Sequence, residues 1–342
     1  GSSALYLGIE SCDFPKGSEV ITPALTFSTT VGCLVKNGLI PVFIDVEPFS
    51  YCIDANQIEN SITKNTVAIL APNLMGNICD WIKIKEIAKK YNLKVIEDSA
   101  DTLGAKINGK PTGFYTDISI TSFYGSHIIN CAGNGGMICT SKKEYADKAK
   151  LLRSWGRSSS LFDDSESIEK RFETKIEDID YDAKFIFEEI GYNLEPSELG
   201  SAFGIVQFNK LNDNIKKRND SYNQLSAFFS NYSDIIELPR RENNVETVWF
   251  AFPFFIRNDA PFVRKDLMIF FEEHNIQTRV IFTGNILRQP GFKKIKRRII
   301  NKRYDNADYV MSNGILIGCH QGMNNSMVNY IHNSIKKFIK NL

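Results

Sequence analysis

Between residue 19 and residue 140 the chain alternates short apolar runs with amphipathic stretches. The runs Glu19-Val-Ile-Thr22, 40–46, 66–72 and 93–96 are almost wholly apolar and are closed by Pro, by Glu47-Pro48 or by an acidic pair, as strands buried on both faces are. Residues 4–9, 28–36, 55–62 and 81–91 instead space their apolar side chains as helices do. That alternation predicts an α/β domain built on a mostly parallel sheet. In such a sheet ligands sit outside the carboxyl ends of the strands, which is where Glu97 and Asp98 fall. Thr121-Ser-Phe-Tyr-Gly-Ser-His-Ile-Ile-Asn130 reads as a strand end and a polar turn holding one histidine. The Gly-rich turn and return strand follow in Cys131-Ala-Gly-Asn-Gly-Gly-Met-Ile-Cys-Thr140.

Residues 156–185 lose apolar periodicity and gather acids (Asp163, Asp164, Glu166, Glu169), which predicts an excursion over the surface that can serve as a lid. Residues 198–211 and 213–229 read as long amphipathic helices. Beyond residue 235, strands at 248–255, 277–282 and 315–317 mix with helices at 263–274 and 327–339. The expected organisation is a large cofactor-type α/β domain over 1–230 and a smaller α+β domain over 231–342, with residues preceding the abrupt start at Gly1.

Composition narrows the function classes. A net charge of +1 argues against a nucleic-acid footprint or a polybasic membrane anchor, and no apolar run is long enough to span a bilayer. The 7 cysteines are odd in number and scattered, without a C-x-x-C pair. This fits reduced thiols in a cytoplasmic protein and offers no metal-ligand set.

The candidate chemistry lies at the strand ends. Asp98 can cap a turn or hold a protonated ring nitrogen. Ser2 and Ser3 open a helix and can cradle a phosphate with its N–H groups, as Ser122 can with its hydroxyl. Phe27 is either core or a face for a flat ring. His127 has the intrinsic pKa for proton transfer near neutrality but no primary amine for a Schiff base. Asn193 sits in the turn before a helix. Arg279, Asn285 and Arg288, around one strand-to-turn junction, suit a diphosphate and sugar hydroxyls. His320 is one of the 4 histidines.

In order and spacing these segments resemble the DegT/DnrJ/EryC1/StrS sugar aminotransferases and dehydratases, fold-type I pyridoxal-phosphate proteins. The likeness is carried by Gly1-Ser-Ser-Ala4, Glu19-Val-Ile-Thr-Pro-Ala-Leu-Thr-Phe-Ser-Thr-Thr30, Pro41-Val-Phe-Ile-Asp-Val46, Ile96-Glu-Asp-Ser-Ala-Asp-Thr-Leu-Gly104, Ser122-Phe-Tyr, Gly135-Gly136 and Gly191-Tyr-Asn193. Five residues past the Ser122 position that family carries its Schiff-base lysine; here it is His127. The histidine-bearing NDP-4-keto-6-deoxyhexose 3-dehydratases are similar in further stretches. These are Asn37-Gly-Leu-Ile-Pro41, Gly76-Asn77 with Asp80, Glu97-Asp-Ser-Ala-Asp101, Arg153-Ser-Trp-Gly-Arg157 and the segment from Thr278-Arg279 through Gly284-Asn285 to Arg288-Gln-Pro290.

The resemblance implies an aspartate-aminotransferase-like fold, pyridoxal 5′-phosphate or pyridoxamine 5′-phosphate as cofactor, and dehydration at C3 of a nucleotide-linked 4-keto-6-deoxyhexose in deoxysugar or lipopolysaccharide O-antigen biosynthesis. It assigns His127 as base, Asp98 to the pyridine nitrogen, Phe27 to the ring face, Ser2, Ser3 and Ser122 to the phosphate, and Asp101 to the cofactor. Asn193 reaches a neighbouring subunit's phosphate, hence a homodimer. Arg279, Asn285, Arg288 and His320 face the substrate, glutamate is the amine donor, and a reductase is a possible partner. Ser158, Ser159 and Ser160 stand where the CDP-sugar dehydratases cluster cysteines, so no iron–sulfur cluster is expected. The turn after His127 is one residue longer than the family's. An aminotransferase with an unusual base and a non-catalytic lysine-less relative are the alternatives.

Overall fold

The protein is described by a computed structural model covering every residue except Asn243. Its centre is a seven-stranded sheet. β1 (Glu19–Pro23), β2 (Ile40–Ile44), β3 (Thr66–Pro72), β4 (Lys94–Asp98) and β5 (Ile118–Ser122) run parallel, and β6 (Gly136–Cys139) returns antiparallel to β5. The order in space is β2-β1-β3-β4-β5-β6, so the chain reverses its direction of winding between β1 and β3, where open sheets form a ligand crevice.

Successive strand residues face opposite layers, and the apolar runs are continuous because both faces are covered. Val20, Ala68, Leu70, Ile96, Ile118 and Ile120 pack under Leu5 of α1 (Ser2–Glu10) and Leu34 of α2 (Ser28–Lys36). Ile21, Val42, Ile44, Ile69 and Val95 pack on Trp81, Ile84 and Ile87 of α3 (Trp81–Tyr91). Each such side chain contributes roughly 1.5–3 kcal/mol relative to exposure. α3 has both expected ends: Asp80 accepts from the Lys83 N–H at 3.0 Å, and Asn92 takes the left-handed conformation (φ 53°).

After β6 come α4 (Lys143–Arg153), α5 (Glu198–Phe208) and α6 (Leu211–Phe229). Four antiparallel strands form a second sheet: β7 (Ile236–Glu237), β8 (Phe252–Ile256), β9 (Thr278–Arg279) and β11 (Gly314–Ile317), in the order β7-β8-β11-β9. Tyr222, Leu225 and Phe229 of α6, Leu267 and Phe271 of α7 (Arg264–Glu273), and Val328, Ile331 and Ile335 of α9 (Asn325–Lys340) close over it. β10 (Arg298–Ile299) crosses back to pair in parallel with β2, and Arg298 forks onto Glu19 at 2.9 Å through both nitrogens. Asp45, beyond β2, accepts from the first N–H groups of α8 (Asp305–Asn313) at 3.1 Å. Among the described residues no helix is long and apolar enough to cross a membrane.

Several elements differ from the sequence reading. Residues 55–62 are two 3₁₀ turns, Ala55–Gln57 and Glu59–Ser61, because Asp54 captures the Asn56 N–H and Ser61 the Gln57 carbonyl. The strand expected from 248 starts only at Phe252, since the Trp249 and Phe250 carbonyls are taken by Arg218. The strand expected over 277–282 is confined to Thr278–Arg279, as Phe282 (φ 47°) and Gly284 (φ 61°) turn the chain away. The surface excursion carries a short helix (Ile168–Phe172) and a hairpin (Thr174–Ile176 with Ile179–Tyr181). α5 is not amphipathic toward its own chain: only Gly200 and Gly204 are buried, while Leu199, Phe203, Ile205, Val206 and Phe208 are exposed.

Candidate active site

The carboxyl ends of β1, β3, β4 and β5 open into a cavity of 1510 Å³. Ser2, Ser3, Phe27, Asp98, Asp101, Ser122, His127 and Asn193 all line it. Eight residues from five separate segments therefore meet at one crevice.

Asp98 ends β4 and is buried. Its Oδ2 accepts from the Thr30 hydroxyl at 2.9 Å and its Oδ1 from the Ala100 N–H at 3.3 Å. Burial pushes its carboxyl above the usual range, partly offset by those two bonds. Among the described residues no lysine, arginine or histidine side chain bonds it. A buried acid without a cation, facing a cavity, matches a protonated ring nitrogen. Asp101, also buried, accepts from the Met75 N–H at 3.1 Å, and burial, with Asp98 adding to it, pushes its carboxyl up to about 7.

Beside them the start of α1 forms an anion cradle. Gly1 precedes the helix with no side-chain cap, the first turn carries no acid, and Ser2 and Ser3 are exposed. The approach of this turn to β5 demands glycine. A Cβ on Gly1 would lie 2.7 Å from Ser122 Cβ and 2.9 Å from its Oγ, and one on Gly136 would lie 2.7 Å from the Gly1 nitrogen. Phe27, half exposed, stands edge-on to Phe282 at 6.2 Å on the wall.

His127 is carried by a turn fixed at several points. Its N–H reaches Tyr124 O at 3.0 Å, Cys131 N–H reaches Phe123 O at 3.1 Å, and Gly125 N–H reaches Gly133 O at 3.2 Å. Ile128 and Ile129 are buried and anchor the segment, while Ala132 (φ 55°) and Gly133 (φ 101°) turn the chain back toward the return strand. The turn leaves His127 on the cavity wall. Its Nδ1 is buried with no partner, and the ring meets Phe250 edge-on at 5.4 Å. Burial lowers its pKa to about 4, a backbone bond at Ser122 opposes this, and the charge of Arg218 assists it. A histidine with a lowered pKa is neutral above that value, so the imidazole is a free base through neutrality. If it is the base, kcat/KM should stay flat from pH 8 down to about 5 and fall as pH approaches 4, with no inflection near 6.5.

α5 reaches this turn through its two buried glycines. A Cβ on Gly204 would sit 2.5 Å from Cys131 Sγ but 3.7 Å from its Cβ, and one on Gly200 would sit 3.1 Å from Cys131 O. Gly204→Ala should therefore lose about 1 kcal/mol, because overpacking on the sulfur outweighs the gain in helix propensity. In a Cys131→Ala background the same change should be neutral or stabilising. A double-mutant cycle by thermal unfolding reads this coupling.

The four C-terminal candidates do not line the cavity. Arg288 forks onto Asp308 at 2.5 and 2.6 Å, and Asn285 donates to Asp308 at 2.8 Å while capping the next turn. Arg279 is exposed, with Nη1 on the Thr278 carbonyl. His320 is exposed and accepts from the Gly322 N–H at 3.2 Å. Conversely, Thr30 and Phe250 contribute to the site without a sequence signal: one lies in a helix and the other just ahead of a strand.

The pattern of the DegT/DnrJ/EryC1/StrS aminotransferase family matches residues 1–336, and the chain belongs to that family. It is 34% identical over 350 residues to the dTDP-4-dehydro-2,6-dideoxy-D-glucose 3-dehydratase of Saccharopolyspora spinosa (99% of this chain, 75% of that one). It is 32% identical over 349 residues to the lipopolysaccharide biosynthesis protein RfbH of Salmonella typhimurium (99% and 79%). Among solved structures, the Escherichia coli GDP-4-keto-6-deoxy-D-mannose-3-dehydratase with bound hydrated pyridoxal phosphate matches with a TM-score of 0.87 at 28% identity (97% and 85%). The fold is that of the fold-type I pyridoxal-phosphate enzymes, and pyridoxal phosphate is the cofactor. The crevice fits it: an uncompensated buried acid for the ring nitrogen and an uncapped helix start beside Ser122 for the phosphate.

Proposed function

We propose that the protein removes the C3 hydroxyl of a nucleotide-linked 4-keto-6-deoxyhexose, feeding deoxysugar biosynthesis. One observation carries the reading: the turn that would present an amine carries instead an imidazole that lines the cavity and is kept neutral by burial. In its amine form the bound cofactor supplies a nitrogen for the C4 ketone and a ring that accepts electrons. His127 takes a proton on its imidazole and then holds it beside the leaving hydroxyl. Asp98, steadied by Thr30, holds the ring nitrogen protonated. Ser2, Ser3 and Ser122 hold the phosphate, Phe27 covers the ring, and Asp101 sits among the cofactor contacts. A lysine at position 127 would bind the cofactor covalently and favour amine transfer.

The exposed apolar face of α5, with the exposed Asn193 just before it, supports a homodimer in which Asn193 crosses to the neighbouring site. Glutamate regenerates the amine form. Arg279 and His320, exposed and free of acid partners among the described residues, are the better placed of the C-terminal candidates for the nucleotide. The reading uses no iron–sulfur cluster, as serines occupy 158–160; a reductase then acts after release, if at all.

One feature favours amine transfer instead: Lys150, exposed on α4, also lines the cavity. Incubation with pyridoxal phosphate, glutamate and a panel of NDP-4-keto-6-deoxyhexoses separates the two readings. A product lighter by one oxygen supports dehydration, and an amino sugar overturns it. Borohydride reduction adds a check at Lys150, where a pyridoxyl adduct would overturn the histidine assignment.

A further inference from the structure

One strongly charged group in the core has no place in that chemistry. Arg218 lies on the buried stripe of α6, between Asn214 and Tyr222, and is only 2% exposed. Among the described residues no carboxylate pairs with it. Its Nη1 donates to the carbonyls of Trp249 at 3.2 Å and Phe250 at 2.9 Å, and its Nε is buried without a partner. An uncompensated buried guanidinium is destabilising, and a long apolar side chain would fill the same place at less cost. The bonds it makes lead to the site. Phe250 lines the cavity, its N–H reaches Met75 O at 3.2 Å, Met75 N–H in turn bonds Asp101, and the Phe250 ring stands edge-on to His127 at 85°.

We propose that Arg218 is a positioning residue for the His127 base: it clamps the Trp249–Phe250 backbone so that the Phe250 ring fixes the imidazole, and its unpaired charge faces that ring from behind. The clamp is also why β8 begins only at Phe252. The charge has a consequence of definite sign. A cation held near the imidazole opposes its protonation, adding to the effect of burial and keeping it a free base. The other ionisable groups that line the cavity with His127 are Asp98, Asp101, Cys139, Lys150, Arg153 and Glu195, with Tyr124 and Cys131 on its own turn. None of these is altered by substitution at 218.

The inference rests on His127 being the base, so its test avoids turnover. In the whole chain carrying labelled histidine, before cofactor is added, NMR follows the 4 imidazoles against pH, with His127→Asn assigning the resonance. The native midpoint is expected at about 4. Arg218→Gln keeps donors for the carbonyls but loses the charge, and should raise the midpoint by about half a unit or more. Arg218→Lys keeps the charge and should stay within about 0.2 unit. Either variant decides if the other fails to fold. An unmoved midpoint in Arg218→Gln, or a rise in Arg218→Lys equal to that expected of Arg218→Gln, overturns the proposal. Melting temperature will fall in both and does not discriminate. If the midpoints behave as expected but no deoxysugar forms with any substrate, the functional reading fails while the positioning role stands.

Discussion

His127→Asn is expected to lower deoxygenation by on the order of 10²–10⁴-fold, the range general acid–base groups contribute. Asparagine nearly preserves shape and removes only the ability to accept a proton. The loss should fall on kcat, because the phosphate cradle at Ser2, Ser3 and Ser122 is formed by other segments. Cofactor affinity, read from the visible absorbance of added pyridoxal phosphate, should change little. A variant that deoxygenates at the native rate would remove the histidine from the chemistry. One that loses activity only through loss of cofactor would make it a structural residue.

Asp98→Asn should cost on the order of 10²–10³-fold in turnover and weaken cofactor binding as well, so its signature differs from that of His127→Asn. The carboxylate is buried, held by Thr30 and Ala100, and already pushed above its usual pKa by that burial. A protonated ring nitrogen supplies that cation and draws the acid back to its charged form. Asparagine cannot stabilise the ring's positive charge, and the electron sink weakens. Because burial of the free acid is unfavourable, apo Asp98→Asn should melt no lower than the native apo chain, while the gain in melting temperature on adding cofactor should shrink. Scanning calorimetry with and without pyridoxal phosphate reads both.

The parts of this site that sequence makes visible are those whose local chemistry is self-sufficient. β3, α2 and α3 fall where periodicity puts them, because each is bounded by a cap or a proline and buried on a regular face. Asp98 and Ser122 are readable because strand ends in a parallel sheet are where ligands bind. What stays hidden depends on contacts between distant segments. Thr30 meets Asp98 across 68 residues. Arg288 is taken by Asp308 of α8, a helix whose buried face is only Ala307 and Val310. Arg218 reads as one more charge on a polar helix, yet it points inward. α5 reads as amphipathic because its sequence is apolar, whereas its packing within the chain depends on two glycines and Cys131.

The central claim is that a carbon–oxygen bond breaks at C3, and oxygen labelling tests it most directly. A nucleotide-linked 4-keto-6-deoxyhexose carrying ¹⁸O in its C3 hydroxyl is incubated with the protein, pyridoxal phosphate and glutamate. The label is expected to leave the sugar for water at a rate that depends on His127. Retention of the label on C3, with glutamate nitrogen appearing at C4, would contradict it.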